Sequence, residues 1–179
     1  MKIKSSRGIT LIELIVVLAI IGIVLKLAAP SFNAYRQNTN LKEAARDISS
    51  DISYYKQRAV SEYKYYKINF SAAANTYAIQ QGTIIVVSPL TINYVALTTK
   101  TVGAGNANIV ISGTPSFTGN PGNSGESNGT YVTLSPRGTS GAGSLTLQHT
   151  RRLSPLGVPS TATITTNLMG RVNVQYNLQ

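Results

Sequence analysis

The side chains that could do chemistry in this 179-residue chain are few and widely spread. The single histidine, His149, follows a predicted strand beside two arginines, where a solvated or packing role is more common than acid-base work. Most of the acids fall on one long predicted helix, so no Ser-His-Asp set can be assembled. The acids on that helix beyond its apolar part are Glu43, Asp47, Asp51 and Glu62. The pattern favours a structural or binding protein over an enzyme.

Residues that could form a metal or cofactor site are also few. The chain has no cysteine, which excludes thiolate metal ligation and a disulfide framework. Asp47 and Asp51 are one helical turn apart, but beside lysine and arginine this spacing is more typical of a solvated helix surface than of a metal site. The glycine-rich segments lack the Lys-Ser ending of a phosphate-binding loop. We therefore predict no metal and no cofactor.

Positive charge is the most pronounced chemical property of the chain. The net charge is +10, and residues 63–179 contribute +6 with Glu126 as their single acid. Such a surface attracts polyanions, so DNA is a candidate partner. The candidate DNA contacts are Arg137 in a Ser-Pro-Arg-Gly turn, the adjacent Arg151 and Arg152, and Arg171. The alternative is that these arginines are solvated charges of turns and edge strands that prevent aggregation.

The elements that must position these residues begin with the apolar segment 9–29, ITLIELIVVLAIIGIVLKLAA. As a helix it would span roughly 30 Å, the thickness of a bilayer's hydrocarbon core. Glu13 stands at the head of its uncharged run, and a carboxylate beside hydrocarbon indicates a functional role. The basic residues of the preceding segment 1–8 favour a cytoplasmic N-terminus. The segment therefore predicts a helix that crosses the membrane once.

The basic leader MKIKSSRG, followed by ITLIEL and an apolar helix, resembles the class III leader of type IV pilins and type II secretion pseudopilins. The resemblance implies that a prepilin peptidase cleaves after Gly8 and methylates the new amine of Ile9. When subunits stack apolar helices into a fibre, the buried amine needs an anion, which Glu13 can supply from one helical turn along. The alternatives are a plain membrane anchor and a secretory signal peptide cleaved near Ala28, although Glu13 and Lys26 argue against the latter.

Beyond Pro30, apolar residues recur at alternating steps of four and three. They are Leu41, Ala45, Ile48, Ile52, Tyr55 and Ala59. This stripe predicts that the helix continues to about residue 62, with an amphipathic part over 30–62. From Tyr63 the pattern changes to short strand-like runs, including separate runs at 77–81 and 84–88.

The predicted fold class is therefore α+β, with a long N-terminal helix packed on antiparallel sheets. The β-rich globular domain covers residues 63–179, and a Gly-, Ser- and Asn-rich surface loop is predicted at 113–129. In the last four predicted strands, alternation assigns the apolar positions to the core. These are Val132 and Leu134, Leu145 and Leu147, Ala162 and Ile164, and Val172, Val174 and Tyr176.

Three later segments are similar to the H-type minor pseudopilins of type II secretion and the FimT-type minor pilins. They are SSDISYYKQRAVSEY, LSPRGTSGAGSLTL at 134–147, and ITTNLMGRVNVQ near the end. The similarity implies a single-pass inner-membrane protein whose C-terminal domain is periplasmic and which joins other pilins or pseudopilins in a pilus or pseudopilus. A major subunit is a further alternative.

The same similarity offers a second function, DNA binding for uptake. FimT-type proteins linked to DNA uptake carry two arginines separated by one residue on the closing strand. Here Arg171 matches the first arginine, and Asn173 replaces the second. Because each lost phosphate contact lowers affinity, one arginine with an amide predicts a weaker site unless other arginines lie nearby.

Overall fold

The computed structural model describes residues 10–87, 90–104, 106, 108–119, 129–153 and 157–179, without the side chains of 27–31, 86–87, 90 and 152–153. The chain divides into two compact units, Met1–Arg36 and Gln37–Gln179. One helix, α1, runs from Leu11 to Glu62, as the sequence predicts. The remainder is built from strands, and the predicted α+β class is confirmed.

The second part of α1 packs through the stripe that its spacing predicts. All six stripe residues are buried, together with Ala44, which the spacing does not identify. The helix ends because Tyr63 adopts a left-handed conformation with φ of 54°, and the Lys64 N–H then bonds to the Ala59 carbonyl at 3.1 Å. This is the geometry of a Schellman C-cap, which turns the chain back into the first strand.

Eight strands follow α1. They are β1 (Tyr65–Ser71), β2 (Thr76–Val87), β3 (Leu90–Thr101), β4 (Ile109–Phe117), β5 (Tyr131–Leu134), β6 (Gly143–Leu153), β7 (Pro159–Thr166) and β8 (Val172–Asn177). They form two four-stranded sheets with the orders β3-β2-β1-β5 and β4-β6-β7-β8. The pairings are antiparallel throughout the described strands.

One hydrophobic core joins the α1 stripe to both sheets. Phe70 of the first sheet stacks on Phe117 of the second, with ring centroids 5.6 Å apart. The predicted inward positions of β5, β6 and β7 are confirmed, because each of those side chains is buried. In β8, Val172 and Val174 pack against the core. Tyr176 is 36% exposed, so its assignment to the core was wrong.

Several strand limits differ from the sequence pattern, and two of the differences have a local physical reason. β2 is one strand, whereas the pattern predicts two runs separated at Gly82. Gly82 stays in the strand because the side chains of Tyr65, Ile92 and Tyr94 cover it. β4 extends to Phe117, into the predicted loop 113–129, because Phe117 is a buried core residue. Residues 120–128 of that loop lie outside the described residues.

Candidate functional site

The predicted processing residues Gly8 and Ile9 lie outside the described residues, and the site begins with the first turn of α1. The Glu13 N–H donates to the Thr10 hydroxyl oxygen at 3.3 Å, and the Leu14 N–H donates to the Thr10 carbonyl at 3.2 Å. Thr10 is therefore the N-cap, and Thr10 with Glu13 has the spacing of a capping box. A carboxylate in the first turn also stabilises the positive end of the helix dipole. Glu13 thus stabilises its own helix, and its side chain remains exposed.

The helix after Glu13 is apolar on every side. Twelve large apolar side chains between Leu11 and Leu25 are each 47% to 76% exposed. Among the described residues, no helix has the length and hydropathy of a membrane span. A helix that is apolar all round is normally buried, either in the core of a large protein or in a membrane.

Two turns of the globular unit bring Arg137 and Arg171 to the same end of the sheets. The Arg137 turn is closed by the Gly138 N–H, which donates to the Ser135 carbonyl at 3.0 Å. The Arg171 N–H donates to Asn167 Oδ1 at 2.9 Å. Ser140 joins the two turns, because its N–H donates to the Leu168 carbonyl and its hydroxyl to the Asn167 carbonyl.

Lys56 of α1 lies against both turns. Its ammonium group donates to the carbonyls of Met169 and Gly170 at 2.8 and 3.1 Å. A Cβ at Gly170 would lie 2.7 Å from Lys56 Cε, and one at Gly138 would lie 3.8 Å from the same atom. Gly170 has a φ of 67°, a left-handed conformation that favours glycine in the Arg171 turn. We call Lys56, Arg137 and Arg171 the basic cluster.

Open grooves flank Arg171 on two sides. One, of about 530 Å³, lies along α1 and is lined by Lys56, Val60 and Arg171 among others. The other, of about 500 Å³, is lined by Arg171, Asn173 and the end of β7. Arg137 and Arg171 are exposed. Cationic side chains beside open grooves can contact an anionic polymer, since phosphate contacts need accessible charge.

Arg151 and Arg152 do not join the basic cluster. In the register of β6 and β7, Gly143 pairs with Thr166 at the Arg171 end, whereas Leu153 pairs with Pro159 at the other end. At about 3.3 Å per residue, Arg151 lies roughly 25 Å along β6 from its Gly143 end. Arg151 is exposed, and the side chain of Arg152 lies outside the described ones. The fold therefore brings two of the four predicted arginines together. It adds Lys56, which lies on α1 next to the stripe residue Tyr55.

The acids of α1 bind neighbouring side chains of the fold. The Asp51 carboxylate accepts a hydrogen bond from the Tyr77 hydroxyl at 2.7 Å. Both of its oxygens also accept hydrogen bonds from the Lys100 ammonium group, at 2.7 and 2.9 Å. Burial, reinforced by this hydrogen bond, raises the pKa of Tyr77 well above its usual range. Asp51 therefore holds β2 and β3 against α1.

Glu62, at the end of α1, makes a similar contact to β1. It accepts the Tyr66 hydroxyl at 2.6 Å and pairs with Arg58 one turn earlier. Burial and this hydrogen bond raise the pKa of Tyr66 to about 12. The Tyr66 hydroxyl, followed by Arg58, lowers the pKa of the Glu62 carboxyl. These acids therefore stabilise the packing of α1 on the first sheet.

His149 packs in the interior. It pairs with Ile109 across β4 and β6 and is 1% exposed, and its Nδ1 accepts the Arg151 N–H at 3.3 Å. Within the described part of the chain, no group of three or more histidines and acids is arranged to hold a metal ion.

Comparison with known proteins decides what kind of N-terminus this is. The chain carries the prokaryotic N-terminal methylation motif, which matches residues 3–25. The motif includes Gly8, Ile9 and Glu13, and the resemblance of the leader to prepilin leaders is confirmed. Two Pseudomonas aeruginosa proteins, each named fimbrial protein, are 40% identical to this chain over 47 residues. The match covers 26% of this chain and 30% of each relative, so it spans less than a third of their length.

Two solved structures resemble the fold at low sequence identity. The type IV minor pilin FimU of Pseudomonas aeruginosa has a TM-score of 0.49 and 14% identity over 79% of this chain and 92% of its own. The minor pseudopilin EPSH from the type II secretion system of Vibrio cholerae has a TM-score of 0.49 and 9% identity over 79% of this chain and 97% of its own.

Proposed function

We propose that this protein is a minor subunit of a type IV pilus or a type II secretion pseudopilus, of the H type or FimT type. A prepilin peptidase removes residues 1–8 and methylates Ile9. The apolar helix then leaves the inner membrane and packs against the helices of other pilins or pseudopilins. The globular unit is the periplasmic part of the subunit.

The observation that supports this proposal is the exposed apolar surface between Leu11 and Leu25, directly within the methylation motif. Such a surface fits two successive environments, lipid before assembly and neighbouring helices afterwards. The carboxylate in the first turn of α1 also supports the proposal. In a bundle of apolar helices, the Glu13 carboxylate can pair with the amine of Ile9 in its own chain or a neighbouring one.

Processing and assembly can be tested separately. Mass spectrometry of the protein purified from a host with prepilin peptidase should find an N-terminal methylated Ile9. A full-length chain that keeps residues 1–8 would overturn the proposal. Glu13→Leu should insert into the membrane like the parent and fail to co-assemble into filaments. Glu43→Leu is the matched control, because it removes an exposed acid from the other part of α1 and should co-assemble normally.

A second candidate function, DNA binding, is supported by the basic cluster. Arg171 alone would be a weak phosphate site, but Lys56 and the Arg137 turn lie beside it. Several cations on one surface can contact successive phosphates, which makes binding strongly dependent on salt. We infer that any DNA contact uses this cluster and not Arg151.

Mobility shifts with the full chain in detergent and a short DNA duplex test this inference. Arg171→Ala should weaken binding and reduce the slope of log affinity against log salt by about one counterion. Arg151→Ala, which removes an exposed arginine from the far end of β6, should leave both quantities unchanged. Equal losses from the two variants, or no shift at low salt, would leave the filament role as the protein's function.

A further inference from the structure

The turn between β7 and β8 presents two large apolar side chains to solvent. Leu168 is 46% exposed and Met169 is 72% exposed. They are the central residues of a β-turn, which the Gly170 N–H closes by donating to the Asn167 carbonyl at 2.8 Å. Asparagine in the first position and glycine in the fourth are preferred in type I turns, so the sequence Asn-Leu-Met-Gly favours this conformation. We call Leu168 and Met169 the apolar tip.

All four backbone carbonyls of this turn, residues 167–170, accept hydrogen bonds from other parts of the globular unit. Ser140 donates to the first two, with its hydroxyl at 2.8 Å and its N–H at 3.1 Å. The Lys56 ammonium group donates to the last two, at 2.8 and 3.1 Å. A polar group that leaves water without a hydrogen-bond partner costs free energy. Because these carbonyls already have donors, the apolar tip can lose its surrounding water without leaving any of them unpaired.

Positive charge lies beside the apolar tip. Arg137 and Arg171 are exposed, on the two turns that Ser140 joins. Residues 127–179 contain four arginines and no acidic side chain, so the partner that fits this end of the sheets is anionic. Two apolar side chains are enough to form a wedge at one base step of DNA, whereas binding to a lipid surface uses the longer apolar face of a whole helix. The small size of the tip therefore favours DNA.

We propose that the apolar tip enters the minor groove of duplex DNA and partly unstacks one base step, while Arg137 and Arg171 contact the phosphates beside it. This rests on the second candidate function, DNA binding through the basic cluster, and adds how the duplex is held. Apolar side chains that enter the minor groove separate stacked bases and bend the duplex. Pyrimidine–purine steps such as TA unstack most easily, so the tip should prefer them without reading a longer sequence.

The salt dependence of binding separates the wedge from the phosphate contacts, because an apolar contact releases no counterion. Leu168→Ala with Met169→Ala should lower the affinity of the full chain in detergent for a short duplex by about tenfold. The slope of log affinity against log salt should stay unchanged, in contrast to Arg171→Ala. Val158→Ala is the matched control, because Val158 is also 46% exposed but lies beside Pro159 at the other end of β7. This variant should bind like the parent.

Unstacking of the bases is the second measurement. A duplex that carries 2-aminopurine at a central TA step reports lost stacking as a rise in fluorescence. The parent should raise this fluorescence, and the double variant should leave it unchanged even at saturating protein. Circular dichroism and an unchanged urea midpoint confirm that the variants are folded.

The outcomes distinguish the wedge from DNA binding itself. If the double variant kept the parent's affinity, or if the parent bound without raising the fluorescence, the wedge would be wrong. DNA binding through the arginines would then stand, and the apolar tip would be left to contact lipid or another subunit. If the parent gave no shift at low salt, DNA binding and the wedge would both be overturned.

Discussion

α1 presents two kinds of surface along its length. Between Leu11 and Leu25, large apolar side chains on all sides are at least 47% exposed, whereas the stripe from Leu41 to Ala59 is at most 9% exposed. Both parts are helical, so backbone conformation does not explain the difference. The arrangement of side chains does, because a stripe can be covered by the chain's own sheets and an apolar cylinder cannot.

The two parts of α1 also differ in the polar contacts that they make. In the globular unit, the α1 side chains Asp51, Lys56 and Glu62 each bond to a strand or turn of the sheets. Near its start, α1 contributes Glu13, whose N–H bonds to Thr10 in the helix's own cap. The second part of α1 therefore stabilises the globular unit, whereas the described polar contact at the start of α1 stays within the helix itself.

Truncation of the stripe is the strongest way to test this comparison. Ile52 is 1% exposed in the core, so Ile52→Ala should lower the free energy of unfolding by about 2 to 5 kcal/mol. Ile21 is 47% exposed, so Ile21→Ala should change it by less than about 0.5 kcal/mol. Urea unfolding of the full chain in detergent, followed by circular dichroism, measures both. Similar losses would mean that the two parts of α1 are equally involved in the fold.

Removal of Asp51 should have the next largest effect. Asp51→Ala leaves the buried Tyr77 hydroxyl without this acceptor and Lys100 without its ion pair, which should cost about 1 to 3 kcal/mol. Asp47→Ala, one turn earlier at an exposed position, should cost less than about 0.5 kcal/mol. Adding Tyr77→Phe to Asp51→Ala should recover part of the loss, because the unsatisfied hydroxyl is then absent. No recovery would show that Asp51 acts through Lys100 alone.

The Tyr66 contact predicts a stability loss in alkali. The pKa of Tyr66 is about 12 in the folded chain and about 10 in an unfolded one. The stabilisation is therefore fully present below pH 10 and is lost as the pH rises towards 12, because the unfolded state releases the proton first. Tyr66→Phe should make the free energy of unfolding less dependent on pH in this window. Tyr63→Phe, at a residue that is 76% exposed, should follow the parent, and a parallel change in both variants would contradict the prediction.

The sequence predicts the helix better than the sheets because helical packing is local. Steps of three and four place Leu41, Ile48 and Ile52 on one face whatever the rest of the chain does. Strand limits depend on partners far along the chain. Gly82 interrupts the apolar alternation, yet its strand continues because Tyr65 and Tyr94 come from neighbouring strands.

The basic cluster could not be predicted for the same reason. Arg137 and Arg171 are far apart in sequence, and they approach only because Ser140 bonds one turn to the other and Lys56 bonds the second turn to α1. Nothing in the local pattern distinguishes them from Arg151, which the β6 register places at the opposite end. Glu13 is the reverse case, because its position in the motif and in the first helical turn can both be read directly from the sequence.

The cap of α1 gives the smallest and most local test. Thr10→Ala removes the hydroxyl that accepts the Glu13 N–H, which should weaken the first turn by about 0.5 to 2 kcal/mol. Thr10→Ser keeps an acceptor at the same place and should behave like the parent. Hydrogen exchange of the Glu13 and Leu14 amides measures this opening, while urea unfolding of the globular unit should not change, since residues 1–36 form their own compact unit. If Thr10→Ala lowered the urea midpoint, the start of α1 would be contributing to the fold, and the division between its two parts would be weaker than their exposed surfaces indicate.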